Sequence, residues 1–420
     1  MTATCNQKCE YCYLTKHGEK IYPFELRNSE QILHNLKLLL AYILKKDYDI
    51  STFDIFSGEV WATDFGISAL EILLEYVKTT KHVPNMVCIP SNCSFILNEE
   101  YFPKICQLID AYEYYGCKLV FSASIDGPIL EVENRSFRDE SKNVLRDDSF
   151  YTKLFEFCKK YNFGFHPMVN AYSIERWPEQ YDWWLDKLNE YEFNYFAYIM
   201  FLEVRNDEWT HEKIKSYLYF LNHAYEAVKE KIFNGNSEEM ARCCLMSEGH
   251  TRVSQNYFHL GYMSYSPRMG CTIDRTIMIR LGDLSWVPCH RTSYDKFLYG
   301  KFIVEDDQIV GMEGLNLPLL FSIYGLAYGG HPKCDTCHLG RMCTRGCYGA
   351  QYEAHKELFY PCDTVCDLMK AKLLFLYQKL KKDLEAIDCK TLLDEVERLH
   401  SKIRNEEDYK AWMPVIEPLI

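Results

Sequence analysis

Apolar positions along the chain switch between two periods from about residue 29 onward. Leu33, Leu36, Leu39 and Leu40 fall three or four apart and predict a helix, and Ile50 to Phe56 then reads as a strand. Leu70, Ile72, Leu73, Tyr76 and Val77 predict the next helix, and Met86 to Pro90 the next strand. Tyr101 to Tyr115 is helical and Lys118 to Ile125 a strand; Phe150 to Tyr161 is helical and Phe163 to Val169 a strand. Trp177 to Tyr191 is helical, Tyr195 to Leu202 a strand, and His211 to Phe233 a long amphipathic helix. Strands separated by helices at this rhythm predict βα units on a parallel sheet. The expected fold is α/β, a partial (β/α)6 TIM-like barrel with its chemistry at the C-terminal ends of the strands.

The pattern changes after residue 235. Residues 236–270 carry Gly, Asn, Ser and Tyr with little periodicity and read as a connector. Residues 271–370 form a small cysteine-rich domain, and 371–420 a helical segment in which Lys372 to Ile403 is mostly amphipathic and reads as packing. The barrel occupies 1–235.

Composition narrows the class. The 420 residues are 48% hydrophobic and 25% charged, as in a folded globular protein. A net charge of −13 argues against nucleic acid or an anionic membrane as the main partner, because both reward basic faces. No apolar run reaches the roughly 18 residues of a membrane span, and no basic and apolar signal segment opens the chain, so a cytoplasmic protein is expected. Nineteen cysteines in a reducing compartment point to metal or cluster ligation rather than disulfides. Ten fall into ligand spacings; Cys88, Cys93, Cys106, Cys117, Cys158, Cys362, Cys389 and the Cys243-Cys244 pair do not, and most of these are expected to be small buried hydrophobes.

The first ligand group is Cys5-x3-Cys9-x2-Cys12, with Tyr11 immediately before the third cysteine. Three thiolates can hold three irons of a cubane and leave the fourth without a protein ligand, whereas simple electron-transfer centres use four cysteines. A zinc knuckle or three free thiols is the plainer alternative. The spacing resembles the signature of the radical SAM superfamily. That resemblance implies an iron chelated by the amino and carboxylate groups of S-adenosylmethionine (SAM), whose sulfonium bond is cleaved after one-electron reduction to a 5′-deoxyadenosyl radical. It also implies a strand directly before the first cysteine. Only Met1 to Ala3 precede Thr4-Cys5, so that strand is largely missing and a start further upstream is expected.

Strand ends carry further resemblances. Ser57-Gly58-Glu59-Val60 looks like the superfamily's "GGEP" turn, in which Gly58 allows close backbone approach and Glu59 offers acceptors to the methionine ammonium. Ser91-Asn92 resembles "TNG", and Ser122-Ala123-Ser124-Ile125-Asp126-Gly127-Pro128 resembles "SxDGP", which implies ribose contacts from Ser124 and Asp126. Two residues apart in a continuing strand, both would face one side. Each motif is also ordinary turn chemistry. Arg135, Arg138 and Arg146 follow in a polar loop, as solvated side chains or with one of them paired to the SAM carboxylate. His166 closes the fifth strand as a core or active-site histidine, and Glu203 and Arg205 close the sixth, where adenine or substrate contacts are expected.

In the second half Cys271, Gly282 and Cys289 are followed by Cys334-x2-Cys337-x5-Cys343-x3-Cys347, then Cys362 and Cys366. The set resembles the SPASM domain of radical SAM enzymes that modify peptides. The resemblance implies one auxiliary [4Fe–4S] cluster on Cys271, Cys289 and Cys347, and another on Cys334, Cys337, Cys343 and Cys366. Cys366 is preferred to Cys362 because it directly precedes the helical stretch Asp367 to Leu384. Six residues separate Gly282 from Cys289, more than the family uses, and the first auxiliary cluster lacks an obvious fourth ligand; that iron is open to a substrate thiolate or takes Cys362, Cys243 or Cys244. His290, beside Cys289 and Arg291, is a proton-relay candidate. A zinc ribbon is the alternative, since C-x2-C pairs also suit tetrahedral zinc.

The resemblance implies a radical SAM peptide maturase: hydrogen abstraction from a ribosomally made precursor, a thioether or carbon–carbon crosslink, and auxiliary clusters that assist. A formylglycine-forming sulfatase maturase is the second reading, and an iron–sulfur electron carrier or scaffold the third. Implied partners are the peptide, a reductant such as flavodoxin or ferredoxin, and a separate leader-binding protein.

Overall fold

The computed structural model describes residues 3–420 except 57, 64, 194–198, 200, 205–207, 234–275, 330–331, 340–346, 359 and 389. Ser57, Arg205, Cys243, Cys244, Cys271, Cys343 and Cys389 therefore lie outside the described residues. The chain divides into two compact units, Met1–His166 with Arg275–Ile323, and Pro167–Asp274 with Tyr324–Ile420.

In the first unit, four parallel strands lie in the order β1-β2-β3-β4: β1 Thr52–Asp54, β2 Met86–Ser91, β3 Lys118–Ala123 and β4 Gly164–Phe165. Parallel neighbours need crossover connections, here the helices α2 (Ser29–Lys45), α3 (Phe65–Thr79), α4 (Tyr101–Tyr114) and, after a short α5 (Glu131–Arg135), α6 (Asp148–Tyr161). Before them, α1 (Tyr13–Ile21) follows the cysteine segment. Side chains alternate along β2 and β3, so that Val87, Ile89 and Ser91 are buried in register with Leu119, Phe121 and Ala123. Helix starts are fixed locally: Asn28 Oδ1 accepts from Gln31 N at 3.0 Å, and Asp147 Oδ1 from Phe150 N at 3.0 Å. Phe121 packs against Phe95 and Phe163 at 5.4 Å between ring centroids, and Phe157 joins Phe95 at 5.5 Å.

The predicted strand Phe163 to Val169 breaks at His166-Pro167. Proline has no N–H for a ladder, and the chain beyond it forms β5 (Met168–Val169), which pairs in parallel with β6 (Leu202–Glu203) in the second unit. Parallel strands thus occur as β1–β4 in one unit and β5–β6 in the other, while most of the expected strand Tyr195 to Leu202 lies outside the described residues.

A four-stranded antiparallel sheet in the first unit was not anticipated. It consists of β7 (Met278–Arg280), β8 (Ser285–Val287), β9 (Gly300–Glu305) and β10 (Gln308–Glu313). Its last hairpin turns through Asp306 and Asp307, both at positive φ (46° and 57°), the geometry of tight two-residue hairpins. The sheet packs on α2: Tyr42 meets Phe302 at 5.6 Å and Asn35 Nδ2 donates to Leu281 O at 2.6 Å. Gly282 N donates to Tyr22 OH at 2.9 Å, and a Cβ there would lie 2.3 Å from Leu26 O, so only glycine fits.

The second unit is mainly helical: α7 (Trp177–Glu190), α8 (His211–Phe233), α9 (Leu317–Gly329, which begins in the first unit), α10 (Pro332–Asp335), α11 (Tyr348–His355), α12 (Asp363–Ala386), α13 (Lys390–Ile403) and α14 (Glu406–Ile416). Trp177, Tyr181, Trp184, Trp209, Tyr217 and Tyr225 fill its core. Among them Lys372 Nζ pairs with Glu203 Oε1 at 2.5 Å, and Tyr217 OH donates to the same oxygen at 2.6 Å. A pair this buried is strongly destabilising to break because the remaining charge has no solvent. Glu203 is thus committed to a core network rather than displayed for a ligand. Among the described residues no helix is long and apolar enough to cross a membrane.

His400 joins α13 to its neighbours, stacked on Tyr377 at 3.5 Å with Nε2 2.5 Å from Tyr409 OH. Burial, helped by Arg404 and Lys381, holds its pKa down to about 4. The folded state thus prefers the neutral ring, and stability present above the unfolded value near 6.5 is lost as the pH falls toward 4. His400→Phe keeps the stack and removes the proton. Denaturant unfolding at several pH values should show the parent losing up to roughly 3 kcal/mol more than the variant over that interval; parallel acid limbs would contradict this.

Candidate functional site

Residues 4–12 run without helix or sheet of their own, so their backbone groups depend on neighbours. Two clamps supply them. Glu59 N donates to Thr4 O at 2.7 Å, and a Cβ on Gly58 would lie 2.2 Å from that oxygen and 2.9 Å from Cys5 Cβ. The close approach expected of Gly58 is therefore an approach to the cysteine segment itself. On the other side Lys8 N donates to Ser136 O (2.9 Å), Glu10 N to Asn134 O (2.9 Å) and Arg138 N to Asn6 O (2.8 Å), with Arg138 Nε on Cys5 O (3.0 Å). The polar loop after Asp126 is thus the second clamp, a role that sequence reasoning missed.

Cys12 is the N-cap of α1, with Thr15 N donating to its carbonyl at 3.1 Å, so the positive end of a helix dipole lies at the third thiol. Gln7 N lies 3.4 Å from Cys5 Sγ, a backbone donor aimed at sulfur. Burial pushes the Cys5 thiol up to about 12, and the nearby Glu59 adds to the shift. Burial also raises Cys9, against the opposing pull of the Arg135 guanidinium. Among the described residues no three metal-ligating side chains converge on a single ion-sized point. Three thiols spread along one short loop fit a cubane, which takes its cysteines on different irons, better than a single ion.

Asp126 is fully buried and accepts from Tyr11 OH (3.0 Å) and Asn134 Nδ2 (3.0 Å), with Arg135 Nε 3.0 Å away. The carboxylate expected on ribose instead anchors the tyrosine between Cys9 and Cys12, and β3 ends at Ala123, so Ser124 and Asp126 do not continue one strand face. Ser124 is half-buried and its N–H donates to Ser91 O at 2.7 Å. Arg135 and Arg146 are buried rather than solvated. Arg146 lies over Phe150 at 4.2 Å and donates to Asn92 O at 2.8 Å, while its Nε and Nη1 have no hydrogen-bond partner.

Glu59 is itself buried, accepting from Ser91 Oγ (2.9 Å) and Asn92 N (2.6 Å), and burial raises its pKa to about 7 despite these donors. Asn92 Nδ2 reaches Asn6 Oδ1 at 2.8 Å. The three strand-end turns and the cysteine loop therefore form one hydrogen-bonded assembly. His166 Nδ1 pairs with Ser122 Oγ, and burial lowers its pKa to about 4.

Cys289 and His290 also lie in the first unit. His290 stacks on Phe56 at 4.4 Å and 6°, with Tyr13 at 5.6 Å. Burial and Arg291 drop its pKa to about 4, so the ring packs there in its neutral form.

In the second unit Cys334, Cys337, Cys347, Cys362 and Cys366 line one cavity of about 390 Å³. The helix α12 begins at Asp363 rather than Asp367, so Cys362 is its N-cap and Cys366 lies in its first turn. The ground for preferring Cys366 is thereby removed, though both line the cavity. Cys347, grouped from the motif with Cys271 and Cys289, here stands beside the Cys334-Cys337 pair.

No family model matches this chain, and no curated protein matches it. Among solved structures, histidine-tagged anSMEcpe with bound AdoMet aligns with TM-score 0.56 at 16% identity, covering 98% of this chain and 96% of that one. Native anSMEcpe with bound AdoMet and Cp18Cys peptide gives 0.53 at 18% identity, covering 92% and 97%. The chain shares the fold of anSMEcpe. anSME is an anaerobic sulfatase-maturating enzyme, radical SAM with a SPASM domain, so the resemblance carried by the cysteine spacings and the likeness to anSMEcpe agree. At this identity the likeness is one of fold.

The Gly58 contact yields a test. Gly58→Ala must push Thr4 and Cys5 aside, which should cost about 1–3 kcal/mol and lower the iron retained by the anaerobically loaded protein. Unchanged stability and iron content would show that the loop does not depend on this clamp.

Proposed function

We propose that the chain is a radical SAM enzyme that modifies a peptide. The observation that carries this reading is the Cys5, Cys9 and Cys12 loop clamped between the Gly58-Glu59 turn, which follows β1, and Asn134–Arg138, at the end of α5. Those three cysteines would hold a [4Fe–4S] cluster, which when bound supplies the electron that cleaves SAM to a 5′-deoxyadenosyl radical. Around it, Glu59 and the Asn92 turn are read as the contacts of the methionine ammonium. Arg146, whose Nε and Nη1 have no hydrogen-bond partner, is read as the contact of the carboxylate, and Ser124 as a ribose contact. The six βα units are read as a partial barrel. Cys334, Cys337, Cys343 and a cysteine of α12 would hold one auxiliary cluster, and Cys271 and Cys289 would contribute to another. Such chemistry needs a site closed to water, with the protein supplying orientation.

The substrate is read as a ribosomal precursor receiving a thioether or carbon–carbon crosslink, with flavodoxin or ferredoxin as reductant and a separate protein as leader binder, in the cytoplasm. Formylglycine formation is the second reading, favoured by the fold shared with anSMEcpe, which is seen with the Cp18Cys peptide.

Anaerobic reconstitution should give about twelve irons per chain, three four-iron clusters, and SAM with dithionite should yield 5′-deoxyadenosine. Replacing Cys5, Cys9 and Cys12 together by alanine should remove about four irons and all product. Mass spectrometry of treated peptide then separates the readings: a crosslink loses hydrogen and keeps sulfur, whereas formylglycine made from cysteine loses sulfur. Zinc in place of iron, or full clusters without deoxyadenosine, would overturn the proposal.

A further inference from the structure

Arg135 is a buried cation held directly behind the cysteine loop. Its side chain is 6% exposed, its guanidinium lies 5.3 Å from the centre of the Tyr11 ring, and its Nε is 3.0 Å from Asp126 Oδ1. Tyr11 lies between Cys9 and Cys12 and donates to the same carboxylate, while the carbonyl of Asn134 holds Glu10 N. Cation and anion are thus tied to the loop through its backbone and through Tyr11. Arg138 also touches the loop, at Cys5 O, but it is exposed and screened by water. Arg146 is turned to Asn92 O and, at 3.8 Å, to Glu131.

Fixed charges in a desolvated interior act over longer distances than the same charges in water, and cluster potentials follow net charge and surroundings. We propose that the Asp126–Arg135 pair sets the reduction potential of the cluster on Cys5, Cys9 and Cys12, Arg135 favouring the more negative reduced state and Asp126 opposing it. The inference rests on the cluster reading above. In this role Arg135 positions charge and does not touch substrate.

The test is a redox titration of the full-length, anaerobically reconstituted protein. It follows the paramagnetic signal that is lost when Cys5, Cys9 and Cys12 are replaced by alanine. Arg135→Gln should lower the reduced-to-oxidised ratio at the parent's midpoint about tenfold, which is about 59 mV for a one-electron couple. Asp126→Asn keeps an acceptor for Tyr11 and should shift the midpoint the opposite way, and Arg135→Lys should stay near the parent. A packing defect has no reason to give opposite signs. Unchanged midpoints, or shifts of one sign in both variants, overturn the inference. If Arg135→Gln loads no cluster, Asp126→Asn and Arg135→Lys decide by the same criteria. A parent with no cluster at these cysteines would instead sink the reading beneath it.

Discussion

A short irregular segment carrying three thiols has to be held by groups it does not contain. Residues 4–12 use the backbone of two distant turns for this, Gly58-Glu59 and Asn134–Arg138, with the Arg138 side chain adding a bond to Cys5 O. The parallel strands can be understood from that requirement. β1 leads into the Gly58-Glu59 clamp, α5 runs into the Asn134–Arg138 clamp, and β2 ends in Ser91, whose hydroxyl fixes the Glu59 carboxylate. Each turn therefore answers to two partners, the element that delivers it and the loop that it holds.

The same assembly explains why its acids are so thoroughly occupied. A carboxylate this deep is costly without donors, and Glu59 and Asp126 each gather two or more. For Asp126 those donors, with Arg135 Nε 3.0 Å away, tie the carboxylate to the loop that would bind a ligand. Glu59, lifted to about 7, is a carboxylate that a nearby ammonium would stabilise. Two acids read alike from their motifs thus divide by environment.

Much of this was legible in the chain. Period changes located β2 and β3 to within one or two residues at their ends, and the cysteine spacings selected the segment that the clamps hold. What was not legible is pairing at a distance: nothing local in Arg135 or Arg138 says that this polar loop returns to lie along residues 6–10. A burial-free reading naturally leaves an arginine in water. The sheet β7–β10 was different, because Phe302-Ile303-Val304 and Ile309-Val310 flank Asp306-Asp307 as a hairpin does, and attention to cysteines passed over that signal. Proline at 167 likewise announces the break that splits one expected strand into two.

Helix starts link the two cysteine-bearing regions. Cys12, Cys347 and Cys362 are the N-caps of α1, α11 and α12, and in none does the side chain bond the first-turn N–H groups. Those donors stay directed toward the sulfur side of the turn, where a helix terminus carries about half a positive charge. A thiolate at such a position would gain a favourable field without any charged side chain. The arrangement costs little sequence, only a cysteine placed one residue before a helix.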